Sequence, residues 1–213
     1  MTPNESSRQA AEICQLAPVV PVLVVEDASL AGDLALALVT GGLPALEVTL
    51  RTPAALDVIR EMAKIEGGVV GAGTLLTPDD VIAAKNAGAL FGVTPGTTDR
   101  MIDAALDAEL PLLPGAATAT EALRLFERGF FVQKFFPAEA SGGVPALKAI
   151  GGPMPQIRFC PTGGVSLSNA PAYLGLANTI CVGGSWVAPK DAVEQHDWAK
   201  ITDLAAEAAR LTR

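Results

Sequence analysis

The sequence predicts one α/β domain over residues 1–213, folded as a (β/α)8 TIM barrel with an extra N-terminal helix. Three observations predict it. Short apolar runs alternate with amphipathic stretches along the whole chain, the rhythm of a parallel sheet crossed over by helices. Eight such units fit into 213 residues, near the low end of the roughly 200 to 400 residues this barrel takes. Charged residues make up 18% of the chain and hydrophobic ones 50%, with mean hydropathy +0.38, which suits strands buried on both faces. An open doubly wound sheet is the rival. It is set aside because no GxGxxG follows the first strand and because polar residues gather at the C-terminal ends of many strands.

The elements follow in order. A helix at about Ser6–Leu16 precedes the first strand, Val19–Val25, which ends the longest apolar run. Helix Ser29–Val39 stops at Gly41-Gly42, and strand Ala45–Leu50 alternates apolar residues with Glu47 and Thr49. Helices Pro53–Lys64 and Pro78–Ala87 each begin on a proline, whose fixed φ suits the first turn, and Gly88 ends the second. Strand Val69–Ala72 lies between them. Strand Leu90–Thr94, helix Asp99–Ala108, strand Leu110–Leu113 and helix Thr120–Glu127 continue the alternation. Then come strand Phe131–Phe135, helix Val144–Ile150, strand Ile157–Cys160, a shorter helix Leu167–Leu174, strand Thr179–Val182 and a closing helix Trp198–Arg213.

Bulk properties exclude several classes of function. The longest apolar run, Ala17–Val25, is too short to span a bilayer, so no membrane partner is expected. No basic segment followed by an apolar stretch opens the chain, so a cytoplasmic location is expected. Net charge is −8, from 15 Lys+Arg against 23 Asp+Glu, which argues against nucleic acid. A small anionic substrate remains compatible, since a few local donors suffice. Cys14, Cys160 and Cys181 are an odd count without CxxC spacing and read as reduced, buried thiols. The single histidine, His196, sits in a polar segment. Metal sites rich in histidine and Ser-His-Asp triads are therefore poor fits.

One residue breaks the pattern. Lys134 lies in Phe130-Phe131-Val132-Gln133-Lys134-Phe135-Phe136, and burying an ammonium without a partner costs several kcal/mol. Desolvation favours the neutral amine, which can form a Schiff base with a carbonyl substrate. A lysine snorkelling at a strand end is the bland alternative. Strand alternation puts Val132, Lys134 and Phe136 on one face, with Phe131 and Phe135 on the other. It likewise puts Glu47, Thr49 and Arg51 together, facing away from Leu46, Val48 and Leu50. Glu47, Arg51 and Lys134 can thus converge at the barrel mouth, where reactive groups of this fold gather. Arg51 offers a fork for a carboxylate and a charge that helps keep Lys134 neutral. Glu47 can move protons. The competing reading of Glu47 and Arg51 is a structural ion pair inside the barrel.

Two glycine pairs complete the constellation. Gly163-Gly164 follows the seventh strand and Gly183-Gly184-Ser185 the eighth, where this barrel receives phosphate on exposed N–H groups. Thr74, in Gly71-Ala72-Gly73-Thr74, could contact a substrate oxygen. Pro95 and Phe136 could wall a small keto-acid pocket. Glu139 reads as an ordinary loop carboxylate.

At this point the chain resembles the KHG/KDPG aldolase family, which acts on 2-keto-3-deoxy-6-phosphogluconate (KDPG). The resemblance rests on Pro18-Val19-Val20-Pro21-Val22, Leu46 through Thr52, Val70-Gly71-Ala72-Gly73-Thr74, Lys134 through Glu139, Arg158 through Gly164, and Val182 through Trp186. These segments span nearly the whole chain in order. The resemblance implies a class I Schiff-base lyase, without metal or other cofactor. It would cleave KDPG, a phosphorylated keto acid, to pyruvate and glyceraldehyde 3-phosphate in the Entner–Doudoroff route. It would also cleave 4-hydroxy-2-oxoglutarate to pyruvate and glyoxylate. It further implies a homotrimer. By resemblance Lys134 is the Schiff-base lysine and Glu47 the general acid/base. Arg51, Thr74 and Thr162 contact the substrate carboxylate and hydroxyls, Pro95 and Phe136 line the pocket, and Gly163, Gly164, Gly184 and Ser185 cradle the phosphate. Two departures, Thr94-Pro95-Gly96 for Ser-Pro-Gly and Ala116-Ala117-Thr118 for Ile-Ser-Thr, bear on fine substrate preference alone. Three rivals make different demands: a phosphosugar isomerase or epimerase, a metal-dependent pyruvate aldolase, and a non-catalytic phosphosugar-binding barrel.

Overall fold

The computed structural model describes residues 1–212. Its strands are β1 (Val19–Leu23), β2 (Ala45–Thr49), β3 (Val69–Gly73), β4 (Phe91–Val93), β5 (Leu112–Leu113), β6 (Gly115–Ala116), β7 (Val132–Phe135), β8 (Arg158–Pro161) and β9 (Val182–Gly184). Its helices are α1 (Pro3–Cys14), α2 (Ala31–Thr40), α3 (Ala55–Met62), α4 (Pro78–Asn86), α5 (Asp99–Asp107), α6 (Ala119–Glu127), α7 (Gly143–Gly151), α8 (Ala170–Leu174), α9 (Lys190–Glu194) and α10 (Trp198–Ala209).

The strands form a curled parallel sheet in two runs, β5-β4-β3-β2-β1-β9 and β6-β7-β8. This is coarser than the single closed eight-stranded ladder expected, and both seams have a local cause. Pro114 separates β5 from β6 and has no N–H to donate, although its carbonyl still accepts the Lys134 N–H at 2.8 Å. Between β8 and β9 the pairing thins to two isolated bridges, Phe159 to Thr179 and Thr162 to Gly183.

Several boundaries also differ from expectation. The last strand starts at Val182, not Thr179, so Gly183 and Gly184 lie inside it. Pro53 stands in the turn before α3 and not in its first helical turn. Pro78 does open α4, behind a reciprocal cap between Thr77 and Asp80. The short α9 had no clear signal. The final helix ends at Ala209, and the expected end at Arg213 lies outside the described residues.

Strand alternation sorts the core into two clusters. Leu46, Val48, Val70, Ala72, Phe135 and Phe159 point outward into the layer shared with the helices. Phe135 and Phe159 meet edge-on, with centroids 6.3 Å apart. Val20, Ala45, Phe91, Val93, Leu113, Val132, Cys160 and Cys181 point inward and pack with Cys14 of α1. Phe131, expected on the outer face, packs with this inner cluster, because it precedes β7 and is not bound by the strand's alternation.

Helix α1 closes the N-terminal end of the curl. Its buried Ser6 hydroxyl accepts the Leu112 N–H at 2.9 Å, and buried Ser7 accepts those of Phe131 and Val132 at 3.0 Å. Free backbone donors at the strand starts are satisfied this way. Polar side chains inside the curl therefore gather at the opposite, C-terminal end.

Candidate active site

Lys134 is the third residue of β7, flanked in register by Gly115 of β6 and Cys160 of β8. Glu47 is the middle residue of β2, which belongs to the other run of strands. Only the curl of the sheet brings them together. The Lys134 Nζ donates to Glu47 Oε1 at 3.0 Å and approaches Oε2 at 3.4 Å. Lys134 is 5% exposed and Glu47 2%, whereas Lys64, Lys85, Lys148, Lys190 and Lys200 are all exposed. The ammonium also lies 5.4 Å from the centroid of the Phe136 ring, within cation–π range.

The carboxylate sits where it does because β3 carries no side chain beside it. A Cβ on Gly73 would fall 2.2 Å from Glu47 Oε1 and 2.6 Å from its Cγ. Cys160 shares the inner face next to Lys134. Its thiol is held below its ordinary value by a hydrogen bond from Cys181 and then by the lysine's charge, working against burial. The partner Cys181 is pushed well above, first by its hydrogen bonds with Cys14 and Cys160. All three cysteines are free and buried, as expected.

Arg51 stands two residues beyond β2, exposed, and makes no ion pair or hydrogen bond among the described residues. The alternative reading of a structural Glu47–Arg51 pair therefore does not describe this site. The charge that Lys134 pairs with is Glu47.

The other expected residues occupy the same end of the sheet. Thr74 follows β3 with φ +59°, a left-handed conformation that strains a β-branched residue by about 1–3 kcal/mol. Such strain is commonly kept where a side chain must be aimed. Pro95 follows β4, and its carbonyl lies where a Cβ on Gly115 would be 2.4 Å away, which pins it beside the neighbour of Lys134. Thr162 is buried, with its hydroxyl 3.4 Å from the Cys160 carbonyl and 3.8 Å from its sulfur. A Cβ on Gly183 would fall 2.2 Å from that hydroxyl, so Gly183 makes room for Thr162 rather than for a ligand.

Gly163 and Gly164 have φ of +99° and +79°, which only glycine adopts without strain. Their carbonyls are used: Gly163 accepts the Glu139 N–H at 3.0 Å and Gly164 the Asn169 Nδ2 at 3.1 Å. The N–H groups of Gly164 and Val165 have no partner among the described residues. An anion is the natural complement of such donors. Gly184 ends β9 and Ser185 follows, exposed, lining a cavity of about 660 Å³ with Val22, Val24, Trp186, Lys190 and others. Lys134 and Glu47 do not line that cavity.

Three features escaped the sequence reading. Gly73 packs on Glu47, a contact between different strands that no local pattern announces. Thr94 is fully buried, its hydroxyl accepting the Gly115 N–H at 3.1 Å and touching Thr97. Glu139, read as an ordinary loop carboxylate, receives the Tyr173 hydroxyl. The adjacency of Glu139 to the lysine strand was the one available signal.

Known proteins are similar to this chain in sequence and fold. A family model described as KDPG and KHG aldolase matches residues 10–204. A 2-dehydro-3-deoxy-phosphogluconate aldolase of Pseudoalteromonas atlantica is 51% identical over 192 residues, covering 90% of this chain and 89% of that one. The crystal structure of the Zymomonas mobilis ZM4 2-keto-3-deoxy-6-phosphogluconate aldolase with 3-phosphoglycerate superposes with TM-score 0.93 at 47% identity, covering 97% and 98% of the two chains. KDPG aldolase from Legionella pneumophila, with pyruvate captured at low pH as a covalent carbinolamine, superposes with TM-score 0.91 at 42% identity, covering 93% and 97%.

Proposed function

The chain belongs to the KDPG and KHG aldolase family, and from that premise we propose that it cleaves KDPG through a Schiff base on Lys134. It is a carbon–carbon lyase, with pyruvate and glyceraldehyde 3-phosphate as products. The family's description also names KHG, and we extend the reading to 4-hydroxy-2-oxoglutarate, giving pyruvate and glyoxylate. The observation that carries the proposal is the buried contact of 3.0 Å between Lys134 Nζ and Glu47. It joins a nucleophile to a base across the inside of the sheet.

The steps use that contact throughout. Glu47 takes a proton from Lys134, and the freed amine adds to the substrate C2 carbonyl. Glu47 returns the proton to the new oxygen, then takes the extra proton from the nitrogen to give the neutral carbinolamine and passes it to the hydroxyl, so that water leaves and the nitrogen lone pair forms the iminium. Glu47 then removes the C4 hydroxyl proton, the C4–O electrons form the aldehyde, and the C3–C4 pair flows into the iminium as an enamine. Protonation at C3 and addition of water release pyruvate and restore the lysine. Burial supports this route because a proton passed between two desolvated groups is shielded from solvent.

The remaining residues take roles suggested by their placement. Arg51, free of internal partners, receives the substrate carboxylate. Thr74 and Thr162 contact substrate oxygens, and Pro95 and Phe136 form the apolar wall. Gly163, Gly164, Gly184 and Ser185 receive the phosphate. We read the curled sheet as the eight-stranded barrel, with β5 and β6 as one strand broken at Pro114 and the two bridges beside β9 as its closing seam. The family resemblance supports a homotrimer working in the Entner–Doudoroff route. Three unpaired thiols suit the reducing cytoplasm.

The test is to incubate the protein with pyruvate and borohydride and locate the adduct by mass spectrometry. A reduced adduct on Lys134 is expected, with activity in a lactate-dehydrogenase-coupled assay unchanged by EDTA. No adduct, or one on another lysine, overturns the assignment.

A further inference from the structure

Glu139 and Tyr173 sit outside the chemistry, yet Glu139 packs against the glycine loop after β8 and Tyr173 bonds to Glu139. The segment after β7 runs alongside that loop: Ala138 N–H donates to the Thr162 carbonyl at 2.8 Å and Glu139 N–H to that of Gly163 at 3.0 Å. The stem of Glu139 lies directly beneath Gly164, where a Cβ would fall 2.6 Å from its Cγ. Its carboxylate receives the hydroxyl of Tyr173, which is fully buried in α8, the helix that follows the loop. The bond therefore ties α8, which follows the loop, to the segment after β7 that runs alongside Gly163 and Gly164. Burial, and then the hydrogen bond to Glu139, push the Tyr173 phenol well above its ordinary value, so the hydroxyl remains a donor throughout the physiological range.

We propose that the Glu139–Tyr173 hydrogen bond is a positioning device that holds Gly163–Gly164 in the anion-receiving conformation, so that the pair sets affinity for the substrate's phosphate and not the chemistry at Lys134. The proposal rests on the aldolase reading for its substrate, while its core, a strap on an anion loop, stands apart from it. The loop's carbonyls are engaged by protein donors, and the N–H groups of Gly164 and Val165 have no partner among the described residues. Two consecutive positive-φ glycines are mobile unless bracketed. The strap supplies one bracket, and Asn169, bonded to the Gly164 carbonyl and to the Ser166 N–H at 2.8 Å, supplies the other. The tyrosine has a second effect. Its donated proton offsets charge on a carboxylate that lies close to where the phosphate would sit.

The test compares wild type, Tyr173→Phe, Glu139→Gln and Glu139→Ala. Steady-state kinetics are run on KDPG and on unphosphorylated 4-hydroxy-2-oxoglutarate, and binding of inorganic phosphate is measured by calorimetry. In Y173F we expect the KM for KDPG and the phosphate dissociation constant each to rise about tenfold, or ~1.4 kcal/mol. The KM for the unphosphorylated substrate and the rate of borohydride trapping by pyruvate should stay within twofold. E139Q keeps an acceptor oxygen for Tyr173 and should change KDPG binding less than threefold, whereas Glu139→Ala, at an exposed position, removes the acceptor and should repeat the tenfold rise, so E139A decides the matter if Y173F folds poorly. An equal loss on both substrates would show a merely structural role, and unchanged phosphate affinity in Y173F would show an idle contact. Either result overturns the strap. Failure of the aldolase reading shows separately, as absence of the wild-type pyruvate adduct, and leaves the phosphate measurement decisive.

Discussion

Replacing Gly73 with alanine tests whether the reaction depends on where Glu47 is held. A Cβ there would lie 2.2 Å from Glu47 Oε1 and 2.6 Å from Cγ, while ordinary contact begins near 3.4 Å. Glu47 must therefore retreat by about an ångström. It cannot do so freely, being buried. The retreat breaks a contact that is 3.0 Å long in the resting protein. A misplacement of about 1 Å in a catalytic group costs roughly 10²-fold in rate. We expect G73A to lower kcat for KDPG about 100-fold with little change in KM, because Arg51 and the glycine loop are untouched. Overpacking of this kind costs about 1–3 kcal/mol, so the melting temperature should fall by roughly 2–12 °C. The assay is pyruvate release coupled to lactate dehydrogenase, with the rate of borohydride trapping as a second readout. A folded G73A protein that works within threefold of wild type would refute the reasoning, since Glu47 would then be tolerated far from Lys134.

Glu47→Gln should lower kcat by roughly 10²–10⁴-fold, the usual worth of a positioned acid/base; turnover above a tenth of wild type would count against its role. Arg51→Ala removes an exposed side chain with no internal partner, so stability should change by less than about 0.5 kcal/mol. Its KM for keto acids should rise roughly 10- to 100-fold, the loss of a charge-assisted hydrogen bond, and an unchanged KM would remove it from the site. Glu121 accepts the N–H groups of Ala117 at 2.8 Å and Thr118 at 3.0 Å, and the Ala117 bond above all holds its carboxyl below the usual value. Its contribution to stability is thus fully present above the unfolded value of about 4.5 and lost as pH falls through the lower folded one. The gap in urea midpoint between wild type and Glu121→Ala should accordingly be constant from pH 7 to 5 and shrink below that, and a gap that widens in acid would reverse the assignment.

Much of the fold was legible because βα units advertise themselves locally. The start of α4 at Pro78 and the apolar runs of β1 and β2 could be read from local pattern to within a few residues. Shifts occurred where a distant contact overrode local preference. β9 begins three residues late because its pairing with β1 starts only at Val182, and Phe131 packs inward because it precedes β7 and escapes its alternation. At the site, alternation put Glu47 and Lys134 on inner faces, and that much is a property of each strand alone. Their partnership is not. The curl placed the Glu47 carboxylate on the lysine and left Arg51 exposed.

By itself, then, the amino-acid order determined the parallel βα rhythm, the family, and which side chains could face the inside. Local periodicity and short motifs carry that information, since both depend on neighbours along the chain. Only the tertiary structure decided that Lys134 rests on Glu47 with Gly73 leaving the space, and that the Tyr173 hydroxyl reaches Glu139 where it packs on Gly164. Those contacts join residues far apart in sequence, and their distances depend on how strongly the sheet curls, a quantity no single strand encodes.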